Sequence, residues 1–187
     1  MNLLIPLDTR LFFLINYLPH GQIGNSLAMF LSGIGQWGAI WFVIAVSLSL
    51  LEVRRNRWFF LPVIVASGFS FIVSEVLIKA WILRPRPTVE MGARIVSGAV
   101  NYSFPSTHAT LAFALAYVLS NEEPKLRVLF YLLAVGIGLS RIYLGVHYPS
   151  DVIGGAVLGS GIGYVAVLFS RYLVPEKKKN AHSRKKS

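Results

Sequence analysis

The chain has 187 residues, of which 55% are hydrophobic, with a formal net charge of +10 and no cysteine. A single domain of this length cannot bury so much apolar surface away from water, so the composition predicts a membrane protein. Without cysteine, the chain has no disulfides, no thiol nucleophile and no cysteine-bound metal.

Taken in chain order, the apolar stretches predict an all-α integral membrane bundle of about five transmembrane helices with a short N-terminal interfacial helix. Residues 10–18 are apolar on most faces but too few to cross a bilayer, so we expect them to lie in its interface. Five further stretches approach the roughly 20 residues that a crossing requires, and the third is short. They are residues 25–51, 58–82, 106–119, 126–144 and 152–173. In the last stretch, Gly155, Gly159 and Gly163 share one helix face and predict a packing seam.

Basic residues between the spans predict the orientation. Arg54, Arg55 and Arg57 follow the first span, and Lys125 and Arg127 follow the third. The last twelve residues hold six basic side chains against one acidic one. With five spans these segments fall on one side, which the positive-inside rule assigns to the cytoplasm. We therefore expect a multi-pass protein of the inner or plasma membrane with a cytoplasmic C-terminus.

The basic residues at the end of the chain predict a separate segment. Residues 1–174 are expected to form one membrane-embedded domain, and residues 175–187 a basic, disordered cytoplasmic tail. Such a tail fixes topology and can contact anionic lipid head groups. Nucleic acid is not an expected partner, because no aromatic-rich polar surface accompanies the charge.

Two segments on the predicted outer side break this charge pattern. The loop of residues 83–105 carries Arg84, Arg86 and Arg94, while Arg141 and Asp151 flank residues 143–150. A charge near the end of an apolar span is costly unless it has a partner or reaches water. The cations held on this side therefore indicate a function.

Three polar clusters lie at the predicted outer ends of spans. Alone, each has an ordinary explanation: Lys79, for example, could pair with Glu75 one turn before it, and a single histidine is usually a packing residue. Together they suit phosphate, because arginine and lysine bind its oxygens and two histidines can supply a nucleophile and an acid. A metal site is disfavoured, since the cations would repel a divalent ion. The clusters are Lys79 with Arg86-Pro87, Pro105-Ser106-Thr107-His108, and Ser140-Arg141 with His147 and Asp151.

In this order the three clusters resemble the three-part signature of the type 2 phosphatidic acid phosphatase family, which is related to vanadium haloperoxidases. That signature reads K-x6-R-P, P-S-G-H and S-R-x5-H-x3-D, and the match runs from Lys79 to Asp151. The one departure is Thr107, where the signature has glycine. The resemblance implies an all-helical fold and metal-independent phosphatase chemistry without an organic cofactor.

The resemblance also implies a role for each matching residue. His147 would attack phosphorus and form a phosphohistidine, Asp151 would orient His147, and His108 would protonate the leaving oxygen. The phosphoryl oxygens would be held by Lys79, Arg86, Ser106, Thr107 and Arg141. Arg84 and Arg94 lie outside the signature, and we hypothesise that one of them contacts a second phosphate of a diphosphate substrate.

The expected enzyme is a bacterial-type lipid phosphatase with its site on the outer, non-cytoplasmic face of the membrane. Its expected partners are lipid phosphates and membrane lipids. A polyprenyl diphosphate, such as undecaprenyl diphosphate converted to undecaprenyl phosphate, is the preferred substrate on grounds of size and topology. Phosphatidylglycerol phosphate, phosphatidic acid and the 1-phosphate of lipid A remain alternatives. A lipid-to-lipid phosphotransferase and a non-enzymatic binder of anionic lipids also remain open, as does the oligomeric state.

Overall fold

The computed structural model describes residues 4–51, 58–98 and 101–173, and within these ranges it contains helices and loops but no strand. The predicted all-α class is therefore confirmed. The helices are α1 Leu4–Asn16, α2 Gln22–Gly35, α3 Ala39–Leu51, α4 Phe60–Phe71, α5 Lys79–Ile82, α6 Thr107–Glu122, α7 Arg127–Tyr143 and α8 Pro149–Leu173. A π-helical segment, Ile72–Ile78, joins α4 to α5 without a break.

Four helical stretches in the described part of the chain are long and apolar enough to cross a membrane. They confirm the predicted first, second, fourth and fifth spans, with ends within a few residues of those expected. The predicted third span corresponds to α6, which has 16 residues and a length of about 24 Å at 1.5 Å per residue. The helix count thus differs slightly from five full spans. The four stretches are Gln22–Leu50, Phe60–Ile82, Pro124–Tyr143 and Pro149–Leu173.

The short α6 lies at the centre of the bundle. It packs against α4, α7 and α8, and most of its residues are buried, including a run of alanines and leucines on several faces. Because its neighbours rather than lipid surround it, α6 does not need the length of a lipid-exposed span. Its N-terminus begins at Thr107, in the middle of a predicted cluster.

The glycines of α8 let this helix approach α6 closely. A Cβ atom at Gly155 would lie 2.7 Å from the Ser106 carbonyl oxygen, and one at Gly163 would lie 2.6 Å from that of Ala114. Both contacts are with backbone, which cannot move aside as a flexible side chain can. The predicted packing seam is confirmed, and it holds the N-terminal ends of α6 and α8 together.

The N-terminal helix α1 has 13 residues, too few for a crossing, and packs against α7 and α8. The side chain of Phe12 in α1 is fully buried and lies next to Tyr148. At its end, Asn16 Nδ2 donates to the Arg94 and Tyr143 carbonyl oxygens at 2.9 and 3.0 Å. A short N-terminal helix was predicted for residues 10–18, and it begins earlier than expected.

Candidate active site

His147 lies in the short connection between α7 and α8, and Asp151 lies in the first turn of α8. The connection is tight: Val146 N donates to the Arg141 carbonyl at 3.1 Å, and Gly145 has φ +79°. Asp151 Oδ2 accepts from Tyr148 N at 2.8 Å and lies 3.5 Å from His147 Nδ1. This spacing is long for a hydrogen bond. Both side chains are buried, with 2% and 0% exposure.

The other ring nitrogen of His147 faces Arg86, whose Nη1 lies 3.1 Å from Nε2. A guanidinium can only donate, so Nε2 is the acceptor and the ring proton is on Nδ1, toward Asp151. Burial lowers the pKa of His147 to about 4, although the Asp151 carboxylate opposes this shift. At neutral pH the ring is therefore uncharged, with a lone pair on Nε2.

Arg86 is held by backbone and side-chain acceptors from two loops. Its Nε donates to the Asn101 carbonyl at 2.6 Å, its Nη2 to Asn101 Oδ1 at 2.5 Å, and its Nη1 to the Val146 carbonyl at 2.6 Å. Burial lowers the pKa of Arg86, opposed by Asp151 and Glu75. A guanidinium remains charged despite such a shift, so Arg86 places a fixed positive charge beside His147.

Glu75 connects two of the clusters. Lys79 Nζ lies 2.6 Å from Glu75 Oε2, and Thr107 Oγ1 donates to the same oxygen at 2.6 Å. Asn101 Nδ2 donates to the other carboxylate oxygen. The π-helical segment contributes to this geometry, because the Lys79 N–H donates to the Ser74 carbonyl five residues back. The suggested pairing of Glu75 with Lys79 is confirmed, and Lys79 is buried with 4% exposure.

The N-terminus of α6 presents backbone donors to the same region. Ser106 caps the helix through Oγ, which accepts from Ala109 N at 3.5 Å, and its own N–H donates to the Asp151 carbonyl at 3.0 Å. The N–H groups of Thr107 and His108 are the first of the helix and have no intrahelical acceptor. Such a helix end suits an anion.

His108 follows directly in α6 and is half-buried. It lies close enough to Arg141, His147 and Lys79 to experience their charges. Within the described ranges its ring makes no hydrogen bond to another residue. The ring is therefore available to a bound molecule.

Arg141 is in the last turn of α7 and is 7% exposed. Its Nη1 donates to Ser32 Oγ of α2, while its Nε is buried and, among the residues described, has no hydrogen-bond partner. A buried cation with an unused donor is costly unless a ligand completes it. Arg141 is thus arranged for an anion.

The two arginines outside the signature differ in position. Arg84 Nη1 donates to Asp151 Oδ1 at 2.6 Å, beside the His147 pair. Arg94 is exposed, and its guanidinium lies 5.1 Å from the centre of the Tyr17 ring. No contact joins Arg94 to another predicted site residue within the described part of the chain. The second-phosphate role remains a prediction for both.

Sequence reasoning missed three polar residues of this region. Asn101 holds Arg86 and Glu75, while Asp8 and Ser150 contact Arg84. The sequence alone could have drawn attention to Asp8, because it is the one acidic residue among the first 51. Asn101 carried no such signal, because a loop asparagine is ordinary.

Several known proteins are similar to much of this chain. Residues 58–175 match the family described as the PAP2 superfamily. The chain is similar to an undecaprenyl-diphosphatase of Sulfolobus acidocaldarius, with 34% identity over 87% of this chain and 78% of that protein. It is also similar to phosphatidylglycerophosphatase B of Bacillus subtilis, with 33% identity over 69% of this chain and 68% of that protein.

A solved structure is similar over nearly its whole length. The crystal structure of Aquifex aeolicus LpxE matches with a TM-score of 0.70 and 27% identity, covering 86% of this chain and 94% of that one. The likeness extends beyond the three clusters to the arrangement of the helices.

Proposed function

The chain belongs to the PAP2 superfamily and is a membrane lipid phosphatase, and we propose that it releases phosphate from a polyprenyl diphosphate through a phosphohistidine on His147. One observation carries the choice of nucleophile. His147 is buried between Asp151 on Nδ1 and Arg86 on Nε2, so its Nε2 lone pair faces the Arg86 guanidinium and a cationic region. A neutral imidazole held in this tautomer is ready to attack an electrophile.

In the first step His147 Nε2 attacks the terminal phosphorus, and the bond from phosphorus to the bridging oxygen breaks. His108, in its imidazolium form, gives its proton to that oxygen and becomes neutral, so the lipid leaves as the monophosphate. Asp151 accepts the hydrogen bond from Nδ1 and stabilises the positive charge that forms on the ring.

In the second step water attacks the phosphohistidine. His108, now neutral, takes a proton from the water, and the bond from phosphorus to Nε2 breaks. Inorganic phosphate leaves and His147 returns to its neutral state. No metal ion takes part in this route.

The phosphoryl oxygens are proposed to be held by charge and by backbone donors. Arg86 and Arg141 supply guanidinium N–H groups, Lys79 supplies an ammonium group, and Ser106 and Thr107 form the N-terminal end of α6. Donors placed where negative charge develops are an effective way to lower the barrier of phosphoryl transfer. The unused Nε of Arg141 supports this assignment.

Similarity supports undecaprenyl diphosphate or a related polyprenyl diphosphate as the substrate, because the Sulfolobus relative carries that activity in its name and aligns over 87% of this chain. The relative named phosphatidylglycerophosphatase B keeps phosphatidylglycerol phosphate as the main alternative. Residues that contact phosphate do not distinguish lipid tails, so this choice rests on similarity and topology.

The site is proposed to face outward, toward the periplasm or the extracellular side, with the C-terminus in the cytoplasm. The support is the distribution of basic residues, but Arg54, Arg55 and Arg57 and the tail at 175–187 lie outside the described residues. Reporter fusions test the topology. Fusions at position 55 and after Lys179 should report cytoplasm, and one near Gly92 should report the outside.

Purified protein in detergent with excess chelator provides the test of the reaction. Phosphate release would be measured in parallel from undecaprenyl diphosphate, phosphatidylglycerol phosphate and phosphatidic acid, for the wild type and for His147→Ala. His182→Ala is the matched control, since that histidine has no proposed role. We expect chelator-resistant release by the wild type and the control, and none by His147→Ala, with undecaprenyl diphosphate giving the highest rate.

Other outcomes would redirect the proposal. Full activity in folded His147→Ala would remove the phosphohistidine. Faster release from phosphatidylglycerol phosphate would replace the substrate but keep the chemistry. No release from any lipid by folded wild type would favour a phosphotransferase lacking its acceptor or a binder of anionic lipids.

A further inference from the structure

A chain of charged side chains leads from α1 to the His147 pair. Asp8 Oδ2 lies 2.6 Å from Arg84 Nη2, and Arg84 Nη1 lies 2.6 Å from Asp151 Oδ1. The same Nη1 donates to Ser150 Oγ at 2.6 Å. Arg84 thus bridges two carboxylates, one on the N-terminal helix and one beside the nucleophile.

Asp8 also contacts the start of α8 directly. Its Oδ1 accepts from the Ser150 backbone N–H at 2.9 Å, and its Oδ2 accepts from Ser150 Oγ at 2.6 Å. A carboxylate that accepts one of the first N–H groups of a helix acts as a cap, here supplied from a different part of the chain. Asp8 therefore fixes the turn of α8 that carries Asp151.

The contacts are shielded from water, unlike an ordinary surface ion pair. The side chains of Asp8, Arg84 and Asp151 are 11%, 24% and 0% exposed. The guanidinium of Arg84 also lies 4.2 Å from the centre of the Tyr148 ring, which holds it in place from one side. Geometry and charge are thus both constrained.

From these contacts we propose that Asp8 and Arg84 are positioning residues of the active site, which act on His147 by fixing the Asp151 carboxylate. Asp151 uses Oδ1 for Arg84 and Oδ2 for Tyr148 N and the His147 ring. If Oδ1 were released, the carboxylate could rotate and Oδ2 would lose its place opposite Nδ1. The inference rests on the proposed role of His147.

The same contacts compete with the hypothesis that Arg84 binds a second phosphate. The guanidinium of Arg84 already donates hydrogen bonds to Asp8, Ser150 and Asp151. A second-phosphate contact would make Arg84 important for diphosphates only. A positioning residue affects every substrate, because the same nucleophile serves all of them.

Steady-state kinetics on the full-length protein in detergent distinguish these roles. The variants are Asp8→Asn, Arg84→Gln and Arg84→Lys, each assayed with undecaprenyl diphosphate and phosphatidic acid. Glu90→Gln is the matched carboxylate-to-amide control, since Glu90 is exposed in the same outer loop. Thermal unfolding and gel filtration verify that each variant is folded.

We expect kcat to fall by about 10- to 100-fold in Asp8→Asn and Arg84→Gln, by analogy with residues that orient the ligands of metal sites. KM should stay within about threefold of the wild type, and both substrates should be affected equally. Arg84→Lys should recover part of kcat, because a lysine keeps the charge but cannot bridge both carboxylates. Glu90→Gln should match the wild type.

A second measurement does not need turnover. Diethyl pyrocarbonate modifies accessible neutral imidazoles, and the rate at His147 can be followed by mass spectrometry of its peptide. Positioning predicts faster modification in Asp8→Asn and Arg84→Gln, because the ring is released from its buried place. An unchanged rate together with unchanged kcat would overturn the inference.

Loss confined to the diphosphate substrate would also overturn it, in favour of phosphate binding by Arg84. Failure of the proposed function has a different pattern, since wild type and variants would then all lack phosphate release. In that case the modification rate alone decides the positioning role.

Discussion

Thr107 Oγ1 donates to Glu75 Oε2 at 2.6 Å, which joins the residue that departs from the family signature to a carboxylate on another helix. A glycine at this position could offer the backbone N–H but not the hydroxyl. The threonine thus adds a contact between α6 and the π-helical segment while leaving the helix N-terminus open.

Restoring the signature glycine should cost stability more than activity. We expect Thr107→Gly to lose about 1 kcal/mol of unfolding free energy through the missing hydrogen bond, while kcat/KM stays within about fivefold. Thr107→Ser, which keeps the hydroxyl, is the control. A loss of activity beyond about 100-fold in Thr107→Gly alone would mean that the hydroxyl itself contacts phosphate.

Replacing the Glu75 carboxylate should strengthen the binding of the product. Glu75 pairs with Lys79 and accepts from Thr107, so its negative charge lies among the groups proposed to bind phosphate. Glu75→Gln removes that repulsion, and inorganic phosphate should inhibit at a concentration about fivefold lower, equivalent to about 1 kcal/mol. Inhibition constants measured for the wild type, Glu75→Gln and the exposed control Glu90→Gln provide the test. Weaker inhibition would show that Glu75 serves phosphate binding by orienting Lys79.

Acid should destabilise the protein through His147. Its pKa is about 4 in the folded state, below the ordinary value of 6.5, so between these values the unfolded chain binds a proton that the native state does not. Stability is therefore present above pH 6.5 and is lost as the pH falls toward 4. Between pH 7 and pH 5 we expect this histidine to account for about 2 kcal/mol of unfolding free energy.

Denaturant unfolding of the wild type and His147→Ala at both pH values tests this. The difference in unfolding free energy between the two proteins should be about 2 kcal/mol smaller at pH 5 than at pH 7. An equal difference at both pH values would show that His147 has an ordinary pKa in the folded protein.

Adding a side chain at one of the glycines where α8 packs against α6 should reduce both stability and activity. A Cβ atom at Gly155 would meet the Ser106 carbonyl oxygen at 2.7 Å, whereas one at Gly161 has no neighbour within 4 Å. Gly155→Ala should lose about 1–3 kcal/mol by overpacking, and kcat should fall because Asp151 lies one turn away. Gly161→Ala is the control on the same helix and should match or slightly exceed the wild type in thermal unfolding. Equal stability and equal kcat in the two variants would mean that α6 and α8 can move apart at Gly155 without loss of stability.

The sequence was sufficient to predict four of the spans, and it predicted most of the residues that the fold brings together around His147. Long apolar runs predict helices directly, and the spacing from His147 to Asp151 predicts that both lie around the start of a helix, one just before α8 and one in its first turn. Other features depend on tertiary contact. No pattern predicts the π-helical segment around Glu75, and the left-handed conformation of Trp37, with φ 54°, is unusual for a large side chain.

Distance along the chain explains the remaining omissions. Asp8 and Ser150 are 142 residues apart, and Arg84 and Asp151 are 67 apart. Helical periodicity relates residues within a few turns, so it cannot pair such positions. Arg84 was predicted to be an unusual cation of an outer loop, but the carboxylates that surround it could be identified only from the folded chain.

The contact between Asp8 and Ser150 also has a consequence for biosynthesis. A ribosome makes Asp8 first, and 141 further residues must follow before Ser150 exists. Before α8 is in place, Asp8 can pair with Arg84 but cannot make its two hydrogen bonds to Ser150. The N-terminal helix can therefore dock fully only after the last span has been inserted, which makes completion of the catalytic centre a late event in the assembly of the protein.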